Sequence, residues 1–430
     1  MSNITLGTLG LIALLILVFL GIHVHVALGV VGIVGMTMMC GFDRAIAMSA
    51  NVSYYKMASF SNSAIPLFIL LGMLASCLGA SKGCYDALRR FVGKLPGGLG
   101  IATVLASAAF GALNGSGTVT ASVFTKCSVP SMKEVGYDKK LAYGVVCGSA
   151  NLGQLIPPSV TVILIGAITG ESISAMLVGA IQPAIYIILA NSLICFAIAC
   201  LRPNLMPRDM AHYTWAERIK GLVYVIPVAI SALIIVGGMS SGTFTGTEAG
   251  AVGVVVFFIY GLIMRVPLKQ MLQACVDTIS SLVMIFILMV TATIFANFLT
   301  LSGVVGAFAD ILLAHELPKW GFLLITALII MVLGCFMDAG GVITLSMPIL
   351  YPTAIAMGVP AMQFCLVALV TILAGAITPP VGLVCFTVKG LAGDDIELMD
   401  VFKGAVPFLI GILVVVVAMC FVPVLTGWLA

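Results

Sequence analysis

The sequence predicts an all-α polytopic membrane protein built on an inverted-topology repeat, with two re-entrant helical hairpins and two broken helices. Three observations predict it. The 430 residues are 62% hydrophobic and only 8% charged, against roughly 25% charged in an ordinary soluble domain, and the mean hydropathy is +1.24. Apolar runs long enough to cross about 30 Å of hydrocarbon recur along the chain. Glycines and prolines repeat at a spacing of 222 residues, from Pro130 to Pro352 and from Gly153 to Gly375. Such a composition excludes a cytosolic globular enzyme, a nucleic-acid binder and a disordered scaffold. The 12 cysteines sit mostly inside apolar runs and form no Cys-x-x-Cys pair, so they read as small core hydrophobes.

Plain crossings are expected over 6–22, 25–41, 62–80, 173–200, 219–237, 243–263, 274–300 and 403–428. The apolar run from Leu6 past Gly21 shows no small-residue cleavage site followed by a soluble domain, so no cleavable signal is expected. Four further apolar stretches are interrupted by glycine, proline and small polar residues: 98–130, 141–170, 320–356 and 361–391. Reading the first and third as re-entrant hairpins, and the others as broken crossings, places 16 basic residues inside, among them Arg89, Lys133, Lys139, Arg202 and Lys389. Only Arg44, Lys56 and Lys319 fall outside. That asymmetry satisfies the positive-inside rule and puts both termini on the outer side.

The spacing of 222 also aligns Gly136 with Gly358, Pro157 with Pro379 and Pro158 with Pro380. Five crossings separate the hairpins, an odd number, so the second copy is inverted. Discontinuous helices in inverted copies are the architecture of secondary transporters, whose site forms near the midplane. Amphipathic stretches before each hairpin, 82–94 and 303–316, read as interfacial arms. The chain thus divides into N-terminal scaffold spans (1–80), a first arm, hairpin and broken helix (81–170), and central scaffold spans (171–300). A second arm, hairpin and broken helix (301–392) and a C-terminal span (393–430) follow.

The first hairpin turns at Asn114, Gly115, Ser116 and Gly117. Unpaired backbone groups in hydrocarbon cost several kcal/mol each, so this turn must be buried in protein or line a wet cavity. An arm starting at about Thr118 aims free amides at the tip, which suits an anion, and Ser116, Thr118 and Thr120 offer hydroxyls. A small-residue helix-packing motif is the plainer alternative. The second hairpin carries Gly334, Asp338, Gly340, Gly341 and Thr344. An intramembrane acid costs at least about 2.5 to 3.5 kcal/mol, so Asp338 needs a cation, a proton or a helix N-terminus. It either caps an arm beginning at Gly340 or contacts ion or substrate, and the roles are compatible.

The broken helices read CGSANLGQLIPPSV and VTILAGAITPPVGL. Paired prolines remove backbone donors, which frees carbonyls over Gly153–Ile156 and Gly375–Thr378, with second half-helices expected to begin at Pro157 and Pro379. Carbonyl oxygens at Gly153, Ile156 and Pro158 with the Asn114 side chain would suit Na⁺, as would Gly375, Thr378 and Val381 with Gly334. Simple proline kinks are the alternative. No phosphate-binding Gly-x-x-x-x-Gly-Lys-Ser/Thr loop occurs, so ATP is not expected as the energy source. An intramembrane enzyme would need a catalytic pair, and no Ser/His, His-Glu-x-x-His or twin-Asp arrangement falls at membrane depth.

GSGTVTASVFTKCSVPSMKEVGYD, GSANLGQLIPPS, FTGTEAGAVG, MDAGGVITLSMPILYP and LAGAITPPVGL together resemble the large membrane subunit of tripartite ATP-independent periplasmic (TRAP) transporters. The resemblance covers nearly the whole chain. In one departure, Asp338 is followed by Ala339 where the family often has Asp-Pro. The resemblance implies an elevator-type Na⁺ symporter in the bacterial inner membrane, with Na⁺ as coupling ion and no other cofactor. It implies a periplasmic binding protein that delivers an organic acid, and a small four-span membrane subunit. By carry-over, Na⁺ falls at Asn114, Gly153, Ile156 and Pro158 and at Gly334, Gly375, Thr378 and Val381, with substrate between the hairpin tips. C4-dicarboxylates, sugar acids, keto acids and sulfonates are all handled in the family. A stand-alone dicarboxylate-type carrier and a channel are the competing readings.

Overall fold

The computed structural model describes residues 2–77, 80–157, 159–211, 213–221, 226–314 and 317–427, and every regular element among them is helical. The N-terminal block holds α1 (Asn3–Phe19), α2 (Val24–Cys40), α3 (Phe42–Ala58) and α4 (Ala64–Cys77). The first arm is α5 (Ala80–Val92), the first hairpin α6 (Gly98–Asn114) and α7 (Gly117–Glu134), and the first broken helix α8 (Lys139–Ala150) and α9 (Val160–Thr169). The centre comprises α10 (Ile173–Gly179), α11 (Ile181–Leu201), α12 (Trp215–Gly221), α13 (Ile226–Ser240), α14 (Gly246–Ile263) and α15 (Leu268–Ser302). The second copy follows as α16 (Val304–Ala314), α17 (Lys319–Phe336), α18 (Ala339–Ala356), α19 (Ala361–Gly375) and α20 (Leu383–Ala392), and α21 (Leu398–Phe421) closes the chain.

Among the described residues, six stretches are long and apolar enough to cross a membrane: 173–201, α14, α15, α17, α18 and α21. The spacing of 222 is visible in the element bounds, since α7 and α18 begin and end that far apart. Helices cover most of the two stretches expected as arms, α5 over the first and α16 over the second, where residues 315 and 316 lie outside the described residues. Among the described residues, α3 and the short α12 were not expected as helices. α3 follows α2 after the single residue Gly41, whose φ of +88° suits glycine, and its Asp43, Arg44 and Lys56 make it too polar to register as a span. The expected crossing 173–200 is two helices, α10 and α11, meeting at Ala180.

The two copies interlock. α7 of the first hairpin packs on α20 of the second broken helix, and α18 of the second hairpin packs on α9 of the first. At one end Asp395, after α20, accepts from Lys133 (2.7 Å), Lys139 (2.8 Å) and the Tyr143 hydroxyl (2.7 Å). At the other end the Tyr351 hydroxyl of α18 donates to Glu171, after α9. The first broken helix therefore runs from the Asp395 end to the Glu171 end, and the second runs back. Each hairpin returns to the end it left: Asp138 N–H donates to the Leu205 carbonyl and Asp209 N–H to Gly93, while a Cβ on Gly358 would lie 3.3 Å from Lys319 Nζ at the opposite end.

Lipid tails are as apolar as leucine, so helices in a membrane associate through close packing and small residues rather than burial from water. α8 and α21 show this at Gly144 and Gly404: a Cβ on Gly404 would stand 1.9 Å from the Lys140 carbonyl oxygen. A second core gathers Leu14, Leu28, Met36, Phe295 and Phe298 where α1 and α2 pack on the C-terminal half of α15. α15 has 35 residues, about 50 Å at 1.5 Å each. It packs on α2, α4 and α18, joining the N-terminal block to the second hairpin.

Candidate functional site

The tip of the first hairpin takes two residues. Gly115 (φ +63°) ends α6, its N–H donating to the Gly111 carbonyl at 2.8 Å. Ser116 is extended and caps α7, its Oγ accepting from Val119 N–H at 3.5 Å and lying 3.2 Å from Thr118 Oγ1. The arm begins at Gly117, one residue earlier than expected. At the second tip Met337 is extended and Asp338 caps α18, its carboxylate accepting from Gly340 N–H (3.1 Å) and Gly341 N–H (3.4 Å). The helix starts at Ala339 rather than Gly340. Ser116 and Asp338 occupy equivalent positions in the repeat and perform the same capping.

The breaks differ from expectation in detail. After α8 the chain tightens into a 3₁₀ turn over Asn151–Gln154, where the Leu152 carbonyl accepts from Leu155 N–H (3.0 Å) and Ile156 N–H (3.1 Å). α9 begins at Val160 rather than Pro157, because Ser159 caps it: its Oγ accepts from Val162 N–H at 3.2 Å and donates to the Gln154 carbonyl. In the second copy α20 begins at Leu383 rather than Pro379. There the Gly375 carbonyl accepts from Thr378 N–H (3.0 Å) and the Ala376 carbonyl from Val384 N–H (3.1 Å), while Thr378 Oγ1 donates to Ala374 (2.7 Å). Local turns and hydroxyls thus occupy one lone pair of several carbonyls expected to be free. A carbonyl has two.

Glycine pairs bring each break against its own hairpin. A Cβ on Gly111 would lie 2.3 Å from Gly153 Cα, and one on Gly334 would lie 3.0 Å from Gly375 Cα. Gly334 and Gly375 were expected together; Gly111 stands out only as one of the hairpin's clustered glycines and was not paired with Gly153. It is hidden from the spacing of 222 by a one-residue shift within the hairpin.

Both tips and both breaks open on one cavity of about 420 Å³. Gly115, Ser116 and Thr118 line it from the first tip and Met337, Asp338, Ala339 and Gly340 from the second, with Gln154, Thr161 and Ala376 from the breaks and Ser281 and Met284 from α15. Among the described residues that line it, none is basic. A larger cavity of about 750 Å³, lined by Asn51, Lys56, Glu171 and Thr247, touches neither tip nor the prolines, and Lys56 Nζ there donates to the Ala167 carbonyl at the end of α9 (2.8 Å). The smaller one is the candidate site because the discontinuous backbone converges on it.

Of the expected substrate residues, Ser116, Thr118, Asp338 and Gly340 line the cavity. Gly117, Thr120, Gly341 and Thr344 are buried behind it. Thr120 Oγ1 donates to the Ser116 carbonyl (2.8 Å) and Thr344 Oγ1 to Gly340 (2.9 Å), as threonines inside helices commonly do. Of the expected cation residues, Gly153 and Ile156 lie in the first break, and Gly334, Gly375, Thr378 and Val381 at the second. Asn114 closes α6, but its side chain, like Pro158, lies outside the described residues. Gln154, Thr161 and Ser281 on the wall, and Asn151 and Ser159 behind it, were not singled out. Their polarity within apolar stretches was the available signal.

The family model described as "Tripartite ATP-independent periplasmic transporter, DctM component" matches residues 11–425. The chain belongs to this DctM family. It is a membrane transport permease and not an enzyme. The chain is 29% identical over 96% of its length to the C4-dicarboxylate TRAP transporter large permease protein DctM of Vibrio cholerae, covering 95% of that protein. It is 28% identical over 95% of its length to the isethionate TRAP transporter permease protein DctMQ of Oleidesulfovibrio alaskensis, covering 64% of that one. In fold it is similar to the YdaH transporter of Alcanivorax borkumensis, with a TM-score of 0.63 at 16% identity over 90% of each chain.

Proposed function

We propose that this DctM-family chain is the permease of a sodium-driven importer of an organic acid, a carboxylate or sulfonate, across the bacterial inner membrane. A soluble periplasmic binding protein delivers the substrate, and a small four-span subunit accompanies the permease. The observation that carries the reading is the cavity shared by both hairpin tips. It offers the N-terminal ends of α7 and α18 and the Ser116 and Thr118 hydroxyls, and among the described residues that line it none is basic; the Gly340 and Gly341 amides are already held by Asp338. An anion held without arginine or lysine depends on partial charges and on accompanying cations. The carbonyl and hydroxyl oxygens of Gly153 and Ile156, and of Gly334, Gly375, Thr378 and Val381, are hard ligands suited to Na⁺.

Moving a dianion inward against about 100 mV, inside negative, costs roughly 4.6 kcal/mol at about 2.3 per charge. Two Na⁺ cancel that charge, so import of a dianion is expected to take at least two, and more than two if it is electrogenic. Interlocked packing of α7 on α20 and α18 on α9 supports movement of hairpins and broken helices as one body, in elevator fashion. The gathering of Lys133, Lys139 and Lys140 at the Asp395 end supports a cytoplasmic placement of that end, with both termini periplasmic.

Reconstitution tests the proposal. Uptake into proteoliposomes should require the binding protein, the small subunit and an inward Na⁺ gradient. Equal uptake without the gradient removes the coupling, and uptake without the binding protein favours a stand-alone carrier.

A further inference from the structure

The side chain of Asn151 sits where the two copies cross. Its Nδ2 donates to the Leu373 carbonyl at 3.0 Å, and the two residues are 222 apart, the period of the repeat. Position i of one copy therefore touches its own counterpart in the other, which places the contact on the pseudo-two-fold axis. Asn151 is fully buried. The bond to Leu373 fixes the amide's orientation, so Oδ1 points the other way. A Cβ on Gly117, the first residue of α7, would stand 2.2 Å from that oxygen, and Oδ1 has no hydrogen-bond partner among the described residues. One amide thus belongs to the first break, bonds to the last turn of α19 just before the second break, and abuts the first hairpin tip. The second copy has leucine at this position, so the link exists once.

We propose that Asn151 couples the two cation sites. This rests on the sodium-driven reading above. A cation held by Gly153 and Ile156 orders the 3₁₀ turn that carries Asn151. The ordered amide holds the Leu373 carbonyl, and with it the register of Ala374, Gly375 and Thr378 at the second site. Coupling of this kind is reciprocal, and each ion raises the affinity for the other. Asn151 is a positioning residue, since its side chain bonds the Leu373 carbonyl beside the second site and contacts neither ion.

The test is equilibrium binding of ²²Na⁺ to the purified permease complex, with choline holding the ionic strength. Wild type should bind sodium cooperatively. Asn151→Ser, whose short hydroxyl cannot reach Leu373, should lower the Hill coefficient to about 1 and raise the half-saturating sodium concentration about 5-fold or more. Asn191→Ser is the matched control. Asn191 is equally buried and its Nδ2 bonds the Gly148 carbonyl at 3.0 Å, joining α11 to the last turn of α8 with no bond to the second break among the described residues. It should keep the wild-type isotherm despite losing a bond of the same kind. An unchanged isotherm in Asn151→Ser, or an equal loss in Asn191→Ser, overturns the coupling while leaving the sodium-driven reading intact. Wild-type protein that binds no sodium overturns both. If Asn151→Ser does not fold, Asn151→Asp, which keeps the shape but loses the amide donor, is read in its place against the same outcomes.

Discussion

A methyl group added to Gly111 would lie 2.3 Å from the Cα of Gly153, so hairpin and break touch backbone to backbone. Real Cβ atoms do not approach that closely, so Gly111→Ala must push α6 off the turn. Overpacking of this kind costs about 1–3 kcal/mol. The permease should melt several degrees lower in detergent and lose most of its transport. Gly334→Ala should be milder, because its added carbon would meet Gly375 Cα at 3.0 Å. Equal melting temperatures for both variants and wild type would show that the close approach is dispensable.

Asp338 caps α18 through two backbone amides. Asp338→Ala should cost about 1 kcal/mol, the usual value of a helix N-cap, whereas Asp338→Asn, also a good cap, should cost little. Thermal melts of the two variants separate the cap from the charge. If the asparagine variant keeps its stability and loses transport, the carboxylate serves the cavity as well.

The ion cluster at the Asp395 end predicts a pH dependence. Hydrogen bonds from Lys133, Lys139 and Tyr143 hold the Asp395 carboxyl well below the usual carboxylate range. A depressed folded-state value means the stabilisation is present above the ordinary carboxylate pKa of about 3.9 and lost as pH falls through the folded value. Melting temperature should therefore decline below about pH 4 more steeply in wild type than in Asp395→Asn. At neutral pH the substitution should cost about 1 kcal/mol, since the pairs are partly exposed. Parallel pH profiles would assign the acid lability elsewhere.

Thr378→Ala should weaken sodium dependence several-fold. The hydroxyl that bonds Ala374 also leaves an oxygen lone pair at the second break. Asn114→Ala should do the same at the first. Unchanged half-saturating sodium in both variants would count against the ligand assignment.

What was legible in the sequence follows from what produces a periodic or repeated signal. The hairpins and breaks were found because glycine and proline recur at one spacing, and α7 and α18 keep it at both ends. The starts of the second half-helices were misplaced, because proline's preference for a first turn yielded to capping by Ser159 in one copy and to a left-handed Gly382 in the other. Thr120 and Thr344 were expected at the site on chemistry alone. Helical phase turns both hydroxyls back to their own backbone. α3 escaped because a search for apolar runs passes over a helix carrying three charges. Asn151 could not be singled out by pattern, since its counterpart is a leucine and its importance lies in a contact across the repeat.

The most direct test of the whole account is the sodium-to-substrate stoichiometry, measured from the substrate gradient at which net flux reverses in proteoliposomes under a known sodium gradient and a clamped membrane potential. Two inverted breaks, each holding a cation, predict at least two sodium ions per organic acid. A stoichiometry of one, or a reversal point indifferent to sodium, would contradict it.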